Sequence, residues 1–289
     1  MTKPNYQNFI FDLYGTLIDI ITDETEPQLW EDLARYMYEE FSVKYTAWGL
    51  REAYLKLCAE YEEKLKEILH VDHPEIRLSW VFEKLVNFKH EEPENENEQE
   101  VEMTESSDLP FDPKDIRLDP NLEELTDPKI QKLCIYFRER SRDKLELYPG
   151  VREVFVAIKK AGKKVFLLSN AQRSFTVKEL DDTMLTGCFE DVFISSDKYI
   201  KKPQPEFLEM LIEKNELKKE ECVMIGNEIN CDIGIAAACG IKSVYLNTYD
   251  HPKREINADI KKLGITDEAL KPTIIQGWKL FEIKKALGL

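Results

Sequence analysis

The chain has 289 residues and a mass of 33.9 kDa, which is enough for one large domain or for a core domain with a smaller second one. Its formal net charge of −16 argues against nucleic-acid binding, because such proteins use surplus positive charge to displace counterions from phosphates. It has no run of about 18 apolar residues, so we expect no membrane-spanning helix. Residues 1–5 lack the charged start and apolar stretch of a secretory signal, which is therefore not expected.

The six cysteines lie apart in the sequence and form no Cys-x-x-Cys pair. This spacing predicts reduced thiols in a cytoplasmic protein and favours neither a zinc site nor a disulfide framework. Acidic residues are concentrated in residues 91–108, which contain nine of them and no basic residue. A stretch with low hydrophobicity and so many like charges is typical of a solvated or disordered insert.

Short apolar runs predict the strands of a parallel sheet, and they lie at residues 9–11, 165–168, 192–194, 222–225 and 243–246. Each run is continuous and ends in polar residues, which is typical of a strand buried on both faces. Amphipathic helices are predicted at 151–160 and 205–214, and a last strand and helix within 274–289. Strands that alternate with helices predict an α/β fold, a doubly wound and Rossmann-like parallel sheet.

Residues 18–146 separate the first strand from the rest of the sheet and are too many for one crossover connection. They are predicted to form an all-α insertion of four helices. The first contains Leu29, Trp30, Leu33 and Met37 on one face, and the second extends from Trp48 to Leu69 with Cys58 and Ile68 turned inward. The third and fourth lie near 77–89 and 128–145. We expect a core of residues 1–17 and 147–289. The insertion should cover the edge of the sheet where ligands bind, as a lid.

Polar clusters follow four of the predicted strands, and they comprise Asp12 to Thr16, Ser169 with Asn170, Lys201 to Pro203, and Gly226 to Glu228 with Asp232. A carboxylate such as Asp12 at the end of a buried strand is costly unless it binds a cation or takes part in chemistry. Gly15 permits a tight turn, and Thr16 offers a hydroxyl group to an anion. The clusters therefore predict one site at the carboxyl edge of the sheet.

The motifs FDLYGTL, LLSN and KKP, followed by the glycine-led loop at 226–232, resemble the haloacid dehalogenase (HAD) superfamily of hydrolases. The resemblance covers roughly residues 7–17 and 147–250, and the helical insertion resembles the cap domain of that superfamily. It implies that Asp12 is a nucleophile that forms a covalent aspartyl intermediate. The implied catalytic residues are Asp12, Thr16, Ser169 and Lys202, and the implied substrate-binding residues are Tyr14, Gly15 and Asn170.

The same resemblance implies a Mg²⁺ cofactor, since a hard cation prefers oxygen ligands. The implied ligands are Asp12, the Tyr14 backbone carbonyl, Asp232 and Glu228, with Asn227 as the alternative to Glu228. In many family members an aspartate follows the glycine of the last motif, whereas this chain has Asn227 there. The choice between Asn227 and Glu228 as third side-chain ligand stays open at this point.

Tyr14 stands where phosphatases of the superfamily carry the aspartate that protonates the leaving group. A phenol with an ordinary pKa of about 10 donates a proton poorly at neutral pH. The 2-haloacid dehalogenase branch of the superfamily also carries a tyrosine at this position. That branch needs no metal, and it uses an arginine from the cap to bind the substrate carboxylate. Arg35 and Arg51 are the nearest candidates for that arginine in this chain. We therefore expect a magnesium-dependent phosphatase of a small phosphorylated metabolite. A dehalogenase and a binding protein without turnover remain alternatives.

Overall fold

The structure is a computed structural model that describes residues 5–88 and 127–289. The acidic segment at 91–108 lies outside these residues, so the insert expected there stays a prediction. Within the described ranges, no helix is both long enough and apolar enough to cross a membrane. The longest helix of the described part, Ala47–Leu69, carries charged side chains from Arg51 onward.

In the described part of the chain the strands are Asn8–Phe11 (β1), Ile18–Thr22 (β2), Arg142–Leu147 (β3), Lys164–Ser169 (β4), Asp191–Ile194 (β5), Cys222–Gly226 (β6), Lys242–Asn247 (β7) and Thr273–Gln276 (β8). Six of them form one parallel sheet in the order β5-β4-β1-β6-β7-β8. Strands β4 and β5 follow one another on one side of β1, and β6, β7 and β8 follow one another on its other side. The carboxyl end of β1 therefore lies at the point where the strand order reverses, and there a crevice opens.

The helices in the same ranges are Pro27–Phe41 (α1), Ala47–Leu69 (α2), Leu78–Asn87 (α3), Pro128–Ser141 (α4), Val151–Lys160 (α5), Arg173–Asp182 (α6), Ser195–Lys198 (α7), Pro205–Lys214 (α8), Gly234–Ala238 (α9), Lys253–Lys262 (α10) and Leu280–Ala286 (α11). Helices α5 and α11 pack on one face of the sheet with Phe9 and Phe11. Helices α8 and α9 pack on the other face with Ile10. The doubly wound α/β core is therefore confirmed, and the predicted bounds of α5 and α8 match the structure.

Helices α1 to α4 share a hydrophobic core of their own, centred on Trp30, Tyr54 and Phe137. The insertion is not helical throughout, because β2 and β3 pair as an antiparallel ribbon at its two ends. The helix predicted at 128–145 thus ends at Ser141, since the segment after it pairs with a strand more than a hundred residues earlier. Ile68, expected to face inward, is 41% exposed, and Cys58 is partly buried.

Candidate active site

Three neighbouring strands and one loop bring the four predicted polar clusters together. Asp12 directly follows β1, Ser169 is the last residue of β4, and Gly226 is the last residue of β6. Lys202 comes from the loop between α7 and α8, and Asp232 lies in the turn of helix after β6. All five positions meet at the carboxyl edge of the sheet, around the end of β1.

The centre of the site is a buried cluster of Asp12, Lys202 and Asp232, which are 6%, 3% and 1% exposed. The Lys202 ammonium donates to Asp12 Oδ1 at 2.6 Å, to Asp232 Oδ1 at 2.7 Å and to the Leu168 carbonyl at 3.1 Å. An ammonium group has three protons to donate, so that of Lys202 is fully used. Two carboxylates share one cation, and the cluster with all three groups ionised carries one negative charge in excess.

The pKa values reflect this imbalance. Burial and the charge of Asp12 raise the pKa of Asp232 to about 7, against the opposing attraction of Lys202. Burial alone would lower the pKa of Lys202, but the attraction of Asp12 and Asp232 outweighs it and the pKa lies above its ordinary value. Lys202 therefore stays charged, and one more positive charge near the two aspartates would relieve their repulsion.

Thr16, Ser169 and Asn227 surround the cluster with further polar atoms. The Thr16 hydroxyl lies 3.0 Å from both Asp12 Oδ2 and Asn227 Oδ1. Ser169 Oγ and Asn227 Nδ2 are buried and have no hydrogen-bond partner among the described residues. An unsatisfied buried polar group costs about 1–3 kcal/mol, so an anion that accepts from both would be stabilised here.

Glu228 and Asn227 are placed differently with respect to this cluster. The Glu228 side chain is exposed, and its backbone N–H donates to Asp232 Oδ2 at 2.9 Å. Asn227 is buried and reaches the cluster through Thr16. Among residues 5–88 and 127–289, no group of three or more His, Cys, Asp or Glu side chains could hold a metal ion, so Glu228 does not join the two aspartates.

The donor set nevertheless suits magnesium, which commonly takes one or two carboxylates and completes its shell with waters and substrate phosphate. Asp12 and Asp232 supply the carboxylates, and their surplus negative charge is what a cation would neutralise. The Asn227 side-chain oxygen is connected to this cluster through the Thr16 hydroxyl.

The side chain of Asn170, which was predicted to bind substrate, is hydrogen-bonded to the backbone of Lys202. Its Oδ1 accepts from the Lys202 backbone N–H at 2.8 Å, and its Nδ2 donates to the Lys202 carbonyl at 3.0 Å. Both ends of the amide are thereby engaged. This contact fixes the backbone of Lys202 beside the end of β4, from which the side chain reaches the two aspartates.

The Tyr14 side chain, also predicted to bind substrate, is engaged with α6. Its hydroxyl donates to the Glu179 carboxylate and lies 3.0 Å from Thr176 Oγ1. Burial, reinforced by the nearby charge of Glu179, raises the pKa of Tyr14 far above its ordinary value. Glu179 was not found from the sequence, because an acidic residue in a polar helix is usually solvated and gives no signal.

Gly15 lies close to Asn227 and Tyr249 in the loop that follows Asp12. Gly15 has a φ of 78°, and a methyl group on it would collide with Asn227 Nδ2 and Tyr249 Oη. Thr248 Oγ1 donates to the Gly15 carbonyl at 2.6 Å. Tyr249 follows β7 at the same edge of the sheet, and that position is the only signal by which sequence reasoning could have found it.

We expect Gly226→Ala to disrupt the site, because a methyl group at this position would overlap the Asp232 carboxylate. Displacing that carboxylate removes one of the two counter-ions of Lys202, and any catalytic activity of the site should fall by at least ~10²-fold. Gly234→Ala is the matched control, since its methyl group would meet only ordinary contacts at 3.4 Å and beyond. Steady-state kinetics and thermal unfolding of both variants check this; equal activity would contradict it.

Known proteins share sequence similarity with this chain. A family model for haloacid dehalogenase-like hydrolases matches residues 6–240. A phosphoglycolate phosphatase of Vibrio cholerae is 30% identical over 146 residues, which are 50% of this chain and 64% of that protein. A glyceraldehyde 3-phosphate phosphatase of Pyrococcus furiosus is 28% identical over 34% of this chain and 40% of its own length. The matches thus span less than two thirds of these curated relatives.

Solved structures with low sequence identity share the fold. The HAD phosphatase of Thermococcus onnurineus has a TM-score of 0.55 at 16% identity, with 98% of each chain covered. A dehalogenase has a TM-score of 0.51 at 18% identity, again with 98% of each chain covered. The family match over most of the chain, together with the motif residues gathered at the end of β1, shows that the protein belongs to the haloacid dehalogenase-like hydrolases.

Proposed function

We propose that this protein is a magnesium-dependent phosphatase that hydrolyses a small phosphate monoester through an aspartyl-phosphate intermediate on Asp12. The observation that carries the proposal is the buried cluster of Asp12, Lys202 and Asp232 beside two unpartnered donors, Ser169 Oγ and Asn227 Nδ2. Curated relatives named as phosphatases of phosphoglycolate and of glyceraldehyde 3-phosphate support a small phosphorylated substrate.

In the first step, a carboxylate oxygen of Asp12 attacks phosphorus, and the bond from phosphorus to the ester oxygen breaks. Thr16 and Ser169 donate hydroxyl hydrogen bonds to the transferring group, while Lys202 neutralises charge on Asp12 and on the phosphoryl oxygens. The alcohol leaves and takes up a proton from solvent. In the second step, water attacks phosphorus, which releases inorganic phosphate and restores the Asp12 carboxylate.

Asp12, Asp232, the Tyr14 backbone carbonyl and the Asn227 side-chain oxygen would hold Mg²⁺ in this reaction. When bound, the ion supplies positive charge that stabilises the phosphoryl oxygens in the transition state. The chain's own contribution is to orient both carboxylates and to favour their charged forms against burial. Lys202 does this through its hydrogen bonds to Asp12 and Asp232.

A small-molecule substrate and a cytoplasmic location are part of the proposal. All six cysteines are free thiols, which is usual in a reducing compartment. The net charge of −16 disfavours nucleic acid as a substrate, because phosphates along a strand would be repelled. A single phosphate group can instead be bound by the local donors of the site.

Dehalogenation is the less favoured function because the two candidate arginines of the cap have other partners. Arg35 pairs with Asp32 on its own helix, and its side chain is 57% exposed. Arg51 Nη1 lies 3.3 Å from Glu52 Oε1, with a side chain that is 37% exposed. Among the residues that the structure describes, neither has a contact that would present it to the carboxylate of a 2-haloacid substrate.

An assay of p-nitrophenyl phosphate and a panel of phosphorylated metabolites, with magnesium or with EDTA, tests the proposal. We expect phosphate release that requires the metal. Chloride release from 2-chloropropionate without metal would overturn the proposal in favour of dehalogenation. No turnover in either assay, from folded protein that retains magnesium, would instead support a binding function.

We also expect hydrolysis to depend steeply on the leaving group, because the Tyr14 hydroxyl is held by Glu179 and does not serve as general acid. A missing general acid typically costs ~10²–10⁴-fold, and only for leaving groups that need a proton. p-Nitrophenyl phosphate should therefore turn over faster than alkyl phosphates by about this factor. Measuring kcat/KM, which reports the step in which the alcohol leaves, across a series of aryl and alkyl esters checks the prediction, and equal values throughout would contradict it.

A further inference from the structure

A buried charge cluster lies beside the nucleophile loop and is not used by the reaction just described. Its centre is Glu179, which is 1% exposed. The Glu179 carboxylate accepts from Arg138 Nε at 2.8 Å, from Arg142 Nη1 at 2.6 Å and from the Tyr14 hydroxyl. We refer to Tyr14, Arg138, Arg142 and Glu179 as the Glu179 cluster.

Each member of the Glu179 cluster belongs to a different part of the fold. Glu179 lies on α6 of the core, Arg138 on α4 of the insertion, and Arg142 is the first residue of β3 in the connecting ribbon. Tyr14 lies two residues after the nucleophile. The Arg138 guanidinium also stacks over the rings of Tyr14, at 5.2 Å, and Phe175, at 4.5 Å, which adds cation–π attraction.

Backbone hydrogen bonds hold the loop that carries Tyr14 in a tight turn, so a shift of Tyr14 would also displace the adjacent residues of the loop. The Leu13 carbonyl accepts from the backbone N–H groups of Thr16, Leu17 and Ile18, at 3.3, 2.8 and 2.9 Å. Ile18 is the first residue of β2, which pairs with β3. The same turn therefore links Asp12 to the ribbon that leads into the insertion.

We propose that Glu179 is a positioning residue for the proposed reaction: it holds the nucleophile loop in its reactive shape only while α4 and β3 are docked on α6. The proposal rests on the phosphatase function proposed above. Undocking the insertion would separate Glu179 from both arginines and so remove the two cations that neutralise its carboxylate. The cluster is therefore stable as a whole, and Tyr14 couples it to Asp12.

Tyr14→Phe and Glu179→Gln test the coupling, with Glu139→Gln as the matched control. Glu139 lies next to Arg138, is 47% exposed and pairs with Lys178 at 3.4 Å. We expect both test variants to lower kcat by ~10–10²-fold, as misplacement of a reacting group does, with KM nearly unchanged. The factor should be the same for p-nitrophenyl phosphate and for an alkyl phosphate, and Glu139→Gln should behave as wild type.

Two kinetic outcomes would overturn the proposal. If Tyr14→Phe slowed only the alkyl phosphate, Tyr14 would be the general acid and not a member of a positioning cluster. If the variants lowered the melting temperature but left kcat unchanged, the cluster would be structural only. Tyr14→Phe keeps both arginines paired with Glu179, so it remains informative if Glu179→Gln does not fold.

Hydrogen exchange provides a readout that does not need activity. In Tyr14→Phe, the backbone amides from Gly15 to Ile18 should exchange at least several-fold faster than in wild type, whereas Glu139→Gln should leave them unchanged. Unchanged exchange in Tyr14→Phe would overturn the proposal. A wild-type protein that hydrolyses no phosphate ester would contradict the proposed function, and the exchange result would still decide whether Glu179 positions the loop.

Discussion

Asp12→Asn is expected to abolish phosphate release and to leave the fold as stable as wild type or more so. The amide cannot form the aspartyl phosphate, and loss of a nucleophile costs on the order of 10⁴-fold or more in rate. The substitution also removes one of two carboxylates that share the Lys202 ammonium, so the remaining pair is balanced in charge. Phosphate release and urea unfolding without metal check both parts.

Asp182→Asn is the control for this experiment. Asp182 lies on α6, pairs with Lys178 at 2.8 Å and has no contact with the site. It should keep the wild-type rate. Wild-type turnover in Asp12→Asn would show that the nucleophile has been assigned to the wrong residue, because an asparagine amide cannot form the aspartyl phosphate.

Lys202→Met is expected to have the second large effect, on stability as well as on activity. It leaves Asp12 and Asp232 buried without a counter-ion. Removing one partner of a buried ion pair lowers the free energy of unfolding by about 3–5 kcal/mol. Turnover should be lost as well, since the charge on the nucleophile and on the phosphoryl group is no longer neutralised. Lys201→Met is the matched control, because Lys201 is more exposed and pairs with Glu62 at 3.1 Å.

The destabilisation in Lys202→Met should shrink as the pH falls. Burial already raises the pKa of Asp232 to about 7 in the wild-type chain, and loss of the ammonium raises it further. A carboxyl group whose pKa is higher in the folded state makes that state bind more protons, so stability falls as pH rises through this range. Urea unfolding of metal-free protein between pH 5 and 8 checks the sign. Equal stability of the two lysine variants would contradict the assignment.

The core could be predicted from sequence because its signals are local. Phe9, Ile10 and Phe11 form a continuous apolar run, and the structure buries all three, with Phe9 and Phe11 on one face of the sheet and Ile10 on the other. Helix α5 begins after Gly150, repeats apolar residues at helical spacing and ends shortly before Gly162, so the sequence predicts both of its ends. In each case the residues that form an element also determine its boundaries.

The remaining features depend on partners that are distant in sequence. The ribbon of β2 and β3 was missed because Arg142–Leu147 alternates charged and apolar residues weakly and becomes a strand only when paired with Ile18–Thr22. Asn170 was expected to bind substrate, but its partner is a lysine backbone 32 residues later. Glu179 and Tyr249 carry no motif, and only the packed structure brings them to the nucleophile loop.

Mass spectrometry of protein quenched in acid during turnover of p-nitrophenyl phosphate with magnesium tests the central assignment most directly. We expect one added phosphoryl group in the peptide that contains Asp12, and its loss in Asp12→Asn. Sustained turnover with no phosphoryl group on Asp12, or with the group on another residue, would contradict the proposed mechanism.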